Sequence, residues 1–135
     1  MHKKKKQGAD RQQIEMNKDT RTPGYRASGR LWIEKDGETY LGWGRVILLE
    51  RIRDHGSISA AARSMGMGYR HAWELVDSMN THAPAPLVEM RTGGKQGGGA
   101  TLTAAGEAAV GEFWSLVKDF RTWLNERQIR ADRGQ

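Results

Sequence analysis

Two stretches of this chain concentrate side chains able to grip a planar or anionic partner. One is Tyr69-Arg70-His71, at the start of a helical pattern; the other runs from Arg91 through Lys95 and Gln96 within a glycine-rich run. Arginine presents a rigid fork of donors that fits O6 and N7 of a guanine, or two phosphate oxygens. A tyrosine hydroxyl donates to phosphate, and its ring packs on a sugar or a thymine methyl. Side chains that make and break bonds are not grouped in this way. His2, His55, His71 and His82 show no pair at the three- or four-residue spacing of a helical metal site, and His71 reads as a polar or phosphate contact. Glu74 and Asp77 stand three apart on one helix, but general acid–base work needs an enclosed pocket around such a pair. They read as solvated, or as orienting Arg70, four residues before Glu74. Ser57 and Ser59 read as helix caps. The absence of cysteine removes disulfides, thiolate zinc sites and cysteine nucleophiles. Gly94-Lys95 is not a nucleotide loop, because Gln96 follows and Glu89 stands where the motif needs its first glycine. The expectation is a protein without enzymatic activity, metal or cofactor.

The elements that must position these groups are legible from pattern and punctuation. Leu31 to Lys35 and Glu38 to Leu41 alternate around Asp36-Gly37, a pair suited to a tight hairpin turn. That register sets Ile33 against Tyr40 and Trp32 against Leu41, with apolar groups on both faces. A first helix is expected over Gly44 to Asp54, stopped by Gly56, and a second over Ile58 to Met65, capped by Ser57 and ended at Gly66. A third helix over Tyr69 to Asn80 carries Ala72, Leu75, Val76 and Met79 on its inner side, with Trp73 beside them. Pro84 and Pro86 then interrupt the pattern. Leu87 to Met90 reads as a strand, Arg91 to Ala100 as a loop, and Thr101 to Thr103 as a second strand or the lead-in to a helix.

Two short helices around a glycine turn form a candidate helix-turn-helix. Its third helix would enter the major groove by its N-terminal half. A glycine-rich loop between two strands, directly afterwards, is what a wing requires, since glycines let backbone lie close to a duplex. In this reading Tyr69, Arg70 and His71 face base edges, Ser59 and Arg63 lie near the phosphate backbone, and Arg91, Lys95 and Gln96 belong to the wing.

The net charge of +6 is unevenly distributed. Residues 1–28 hold eight Lys/Arg against three Asp/Glu, beginning with Lys3-Lys4-Lys5-Lys6, and residues 43–101 hold seven against five. The expected organisation is a basic arm over 1–28, disordered or touching phosphate without regard to sequence. A winged domain with its leading hairpin follows over 29–103, then a long helix over 104–128 and a frayed tail over 129–135. No apolar run approaches the roughly 18–20 residues of a membrane span, and the start is charged rather than apolar, so a cytoplasmic protein is expected.

The last helix carries Ala109, Phe113, Leu116, Phe120 and Trp123 at alternating spacings of four and three, a coiled-coil-like seam. Val110, Trp114, Val117 and Leu124 form a second line beside it. Both lines could be core. The favoured reading assigns the first to a homodimer interface, because a domain this small has little core to set against two aromatic lines. A two-fold dimer calls for a roughly palindromic site in double-stranded DNA.

Several separated stretches also resemble the N-terminal DNA-binding domain of the molybdate-responsive regulator family, ModE. They are Gly56 to Ala62, Gly66 to Trp73, Met79-Asn80, and Thr92 to Ala100 with Leu102-Thr103 and Gly106. The resemblance spans roughly Gly42 to Val117. It implies a mostly α fold with small β content (α+β), a winged helix-turn-helix dimerised through a long helix, and a role in transcriptional regulation. Gly68 stands where that family has a serine. The family's oxyanion-binding domains have no counterpart here, so a stand-alone form is expected, and no residue is assigned to molybdate or another oxyanion effector. Three other readings stay open: a winged helix that binds protein, an oxyanion sensor with its ligand at the dimer interface or glycine loop, and a nonspecific nucleoid protein driven by the lysine tail.

Overall fold

The computed structural model describes residues 24–92, 98–127 and 129. The elements are β1 (Ile33–Lys35), β2 (Glu38–Leu41), α1 (Trp43–His55), α2 (Ile58–Ser64), α3 (Tyr69–His82), β3 (Val88–Arg91), β4 (Gly99–Leu102) and α4 (Ala104–Glu126). Each strand pair is antiparallel, and the architecture is α+β. The chain divides into two compact units. One spans Leu31–Ser115, and the other comprises, among the described residues, 24–30 with 116–127. The division falls within α4. The basic arm up to residue 23 and the loop over 93–97, with Lys95 and Gln96, lie outside the described residues.

The β1–β2 turn forms as its residues dictate. Asp36 and Gly37 both adopt positive φ, 53° and 82°, the pattern that matches strand twist in a two-residue hairpin. The expected register needs correction beyond the first two pairs. Lys35 faces Glu38 and Glu34 faces Thr39, but an irregularity follows, and Ile33 faces Leu41 rather than Tyr40. Trp32 consequently lies outside the paired strand, exposed, with its Nε1 donating to Glu34 at 2.9 Å. The extra residue on β2 lets Leu41 bury completely while Tyr40 is half-buried, an outcome of the kind β-bulges produce by re-aiming a side chain.

In α1, Val46, Leu48, Leu49 and Ile52 are buried, and Gly56 ends the helix in the left-handed region, where its N–H reaches Ile52 O at 2.8 Å. Ser57 Oγ accepts from Ala60 N at 3.0 Å and starts α2, which buries Ile58, Ala61 and Ala62. Small side chains at 61 and 62 permit the close approach of neighbouring helices. Gly66 takes a φ of 64° in the turn before α3, and Met67 N returns to Ala62 O at 2.9 Å. Ala72, Val76 and Met79 form the buried row of α3. Trp73 does not join them: it is 43% exposed, because its position turns it toward the outer face.

The later strands are shifted slightly from expectation. Val88 pairs with Leu102 and Arg91 with Gly99, so β3 begins one residue later and β4 two residues earlier than the alternation suggested. Thr103 Oγ1 accepts from Gly106 N at 3.0 Å and opens α4. A Cβ at Gly106 would collide with the Leu87 carbonyl, which makes this glycine a requirement of close packing. Phe113, together with Ala109 and Val110, completes the core of the larger unit.

Candidate nucleic-acid interface

The helix-turn-helix places its polar residues by closing everything behind them. Arg51, on α1, donates to Ser64 Oγ at 2.6 Å and to Ser64 O at 3.2 Å, fixing the end of α2. The turn then leads into α3 through Gly68, which is extended (φ −67°, ψ 148°) and brings no side-chain cap to the helix start. The first four amides of a helix lack partners within it. At this N-terminus they stand beside Tyr69, Arg70 and His71, all exposed.

The Arg70 side chain is 91% exposed, and its Nε lies 3.6 Å from Glu74 Oε2, one turn along. Such an exposed pair contributes little to stability. The two side chains stand one turn apart on the exposed side of α3. Ser59 and Arg63, one turn apart on α2, are both exposed and linked by a 3.2 Å bond from Arg63 Nη1 to Ser59 Oγ. Arg91, at the end of β3, is exposed, and its guanidinium lies over Gly99 on the paired strand, where a Cβ would come within 3.1 Å of it.

The opposite end of α3 is tied down by groups that sequence reasoning missed. Arg45 donates to Ser78 Oγ at 3.0 Å, and burial pushes its guanidinium below the ordinary arginine value. His82 Nδ1 lies 2.7 Å from Ser78 O, which can only accept, so this nitrogen carries a hydrogen. His82 Nε2 sits 3.2 Å from Glu38 on the hairpin. Asn80 Oδ1 accepts from Leu87 N at 2.8 Å and Val88 N at 3.1 Å, while its Nδ2 donates to Val88 O at 3.0 Å. A usable signal was present: an asparagine near a helix end, before a proline-broken segment whose amides need acceptors. Trp114 on α4 was read only as an apolar position, yet its Nε1 donates to Glu50 at 2.8 Å and its ring meets Trp43 edge-on.

The expected seam of α4 divides. Ala109 and Phe113 are buried within the larger unit, with Phe113 wholly inaccessible, and so have no surface to offer a second chain. Phe120 is half-buried, with its ring 3.4 Å from where a Cβ on Gly29 would stand. Leu116 and Trp123 are exposed, at 43% and 52%, and the Arg127 guanidinium lies 4.6 Å above the Trp123 ring. Regular spacing marked a continuous apolar line, whereas packing assigns its first part to the chain's own core. Among the described residues, no group of three or more His, Asp or Glu is assembled as a metal site, and no helix is long and apolar enough to cross a membrane.

Comparison with known proteins agrees with this geometry. Residues 43–107 match the family described as "Bacterial regulatory helix-turn-helix protein, lysR family". The molybdenum transport protein ModE of Azotobacter vinelandii is 38% identical over 103 residues, covering 76% of this chain and 38% of that protein. The molybdenum-pterin-binding protein MopB of Rhodobacter capsulatus is 47% identical over 102 residues, covering 74% of this chain and 37% of that protein. The DNA-binding transcriptional dual regulator ModE of Escherichia coli K12 is 44% identical over 66 residues, covering 49% and 25% respectively. The chain spans about a third of the length of the first two. Residues 43–107 thus match the bacterial regulatory helix-turn-helix of the lysR family, in a chain similar to the ModE and Mop proteins over part of their length.

Proposed function

We propose that this chain binds double-stranded DNA sequence-specifically as a transcriptional regulator, using a winged helix-turn-helix and acting as a homodimer. The observation that carries the reading is the N-terminal turn of α3. Tyr69, Arg70 and His71 stand exposed beside unpaired helix amides, on a helix whose far end and inner face are held by the fold. Arg70 addresses guanine or phosphate, Tyr69 the sugar-phosphate edge or a thymine methyl, and His71 a neighbouring phosphate. Ser59 and Arg63 contact the backbone of one strand. Arg91, with Lys95 and Gln96, forms the wing contact, and the basic arm adds attraction blind to sequence. Nothing in this reading calls on catalysis.

Leu116 and Trp123 support dimerisation, because large exposed apolar side chains seven residues apart lie on one side of a helix. A two-fold pair sets its recognition helices about 34 Å apart, or a multiple of it, and requires a near-palindromic site. Replacing both residues with glutamate should leave a folded monomer by sedimentation, with half-site affinity only.

Selection from a random duplex library, with affinities measured at two salt concentrations, tests the function itself. A palindromic consensus with salt-dependent affinity is expected. Equal enrichment of all duplexes would favour a nonspecific nucleoid protein, and no binding at low salt a protein-interaction module. A second reading, an oxyanion effector, is favoured by the molybdenum in the names of the ModE and Mop relatives. A rise in melting temperature with molybdate or tungstate, absent with sulfate, would support it.

A further inference from the structure

Asn80 makes more of its side chain than the rest of α3 does. Its carbonyl oxygen accepts from two successive amides, Leu87 and Val88, and its amide nitrogen donates to the Val88 carbonyl. A carboxamide carries its two-lone-pair acceptor and its donor on separate atoms, so it can meet the N–H and C=O groups of an extended segment at once. The side chain therefore pairs with the start of β3 much as a neighbouring strand would. The segment before it, Ala83 to Pro86, contains two prolines and so offers few backbone donors of its own.

Other parts of the fold hold the same strands from other directions. Thr103 Oγ1 donates to Pro86 O at 2.6 Å, and Thr103 N to Leu87 O at 2.9 Å. Ala100 N, on β4, donates to Gly56 O at 2.9 Å, which ties the strand pair to the turn between α1 and α2. These bonds secure the strands to the scaffold, and Asn80 is the tie that α3 contributes. It lies ten residues along the helix from Arg70, about 15 Å at the usual rise, while only Glu89 and Met90 separate Val88 from Arg91 on β3.

We propose that Asn80 is a positioning residue that locks the β3–β4 pair to α3, so that Arg91 is presented to the DNA flank in one rigid body with Arg70. The inference rests on the reading of the chain as a winged DNA-binding protein. Its consequence is cooperation between groove and flank: binding energy at Arg91 depends on Asn80, although Asn80 touches no DNA. Asn80→Asp is the informative variant. It keeps an acceptor for Leu87 and Val88 but sets a carboxylate oxygen against the Val88 carbonyl, which repels it. The ties through Thr103 and Gly56 remain, so the fold is retained.

The test is a double-mutant cycle on the duplex selected with the unsubstituted protein. Arg91→Ala alone should weaken binding about tenfold and lower the salt slope by about one, as expected for the loss of one phosphate contact. In the Asn80→Asp background the same change should cost less than about twofold. Equal losses in both backgrounds, with an unchanged salt-slope difference, would overturn the inference while leaving the wing reading intact. No loss from Arg91→Ala in the unsubstituted protein would overturn the wing reading, and the inference with it. Hydrogen exchange of the unsubstituted protein is a second measurement, independent of any variant's folding. The Leu87 and Val88 amides should gain protection with α3 when duplex is added, and unchanged exchange at both would count against the lock.

Discussion

At its N-terminal end α3 starts on a bare glycine, with three exposed side chains of mixed chemistry, among them Arg70 beside the Glu74 carboxylate. At its C-terminal end the same helix is bonded to α1 through Ser78 and to β3 through Asn80, and His82 Nε2 stands 3.2 Å from Glu38 of the hairpin. One end is finished by the protein's own groups, and the other leaves its donors for something else. A helix that reads a duplex needs this asymmetry. Base recognition tolerates little misplacement, so the free end must be aimed from the fixed one.

Substitutions at the two ends should separate stability from binding. Met79 is fully buried beside the tied end, and Met79→Ala should cost about 2–5 kcal/mol in urea unfolding. Its effect on DNA affinity should vanish under conditions where the protein stays folded. At the free end the balance reverses. Arg70→Ala should leave the urea midpoint unmoved, yet cost roughly 1–3 kcal/mol on specific DNA, with relaxed preference at one base step. A uniform loss on all sequences would make Arg70 a phosphate contact instead.

Tyr40, on the hairpin whose Glu38 meets His82, sharpens the comparison through pH. Burial first, and then the Glu112 carboxylate, raise its hydroxyl above the ordinary value of 10.0. The unfolded chain therefore ionises before the folded one as pH rises. The stabilisation is complete below pH 10.0 and is lost as pH climbs through the folded value. Tyr40→Phe should flatten part of the alkaline decline in urea midpoint above about pH 10. The smallest effect belongs to Gly68→Ser, which supplies the missing cap oxygen in a compatible extended conformation with open space around it. It should add a few tenths of a kcal/mol in thermal unfolding.

What the sequence made legible was local. Asp36-Gly37, Gly56, Ser57 and Gly66 each act on their own backbone, and each adopted the conformation their chemistry prescribes. What escaped it depended on tertiary neighbours. Helical spacing gave Phe113 and Leu116 equal standing, though one is sealed in the core and the other is open. Alternation could not place the irregularity that pairs Ile33 with Leu41, because burial of Leu41 is a matter of packing. Leu75 was set with Val76 on the inner side of α3 by spacing alone, yet it is only half-buried. Asn80 was noticed within a motif without a role, since its partners lie beyond two prolines. The exposure of Tyr69, Arg70 and His71 at the start of α3 was legible, because the apolar row of that helix falls on its other side.

Cross-saturation from duplex protons to protein amides tests the central claim most directly, because it reports proximity rather than stability. The strongest transfer should fall on Gly68 to Trp73, with a second patch at Arg91 and Thr92 and little at Met79 to His82. Transfer concentrated at the C-terminal end of α3, or confined to the hairpin, would contradict the assignment of the free end to DNA.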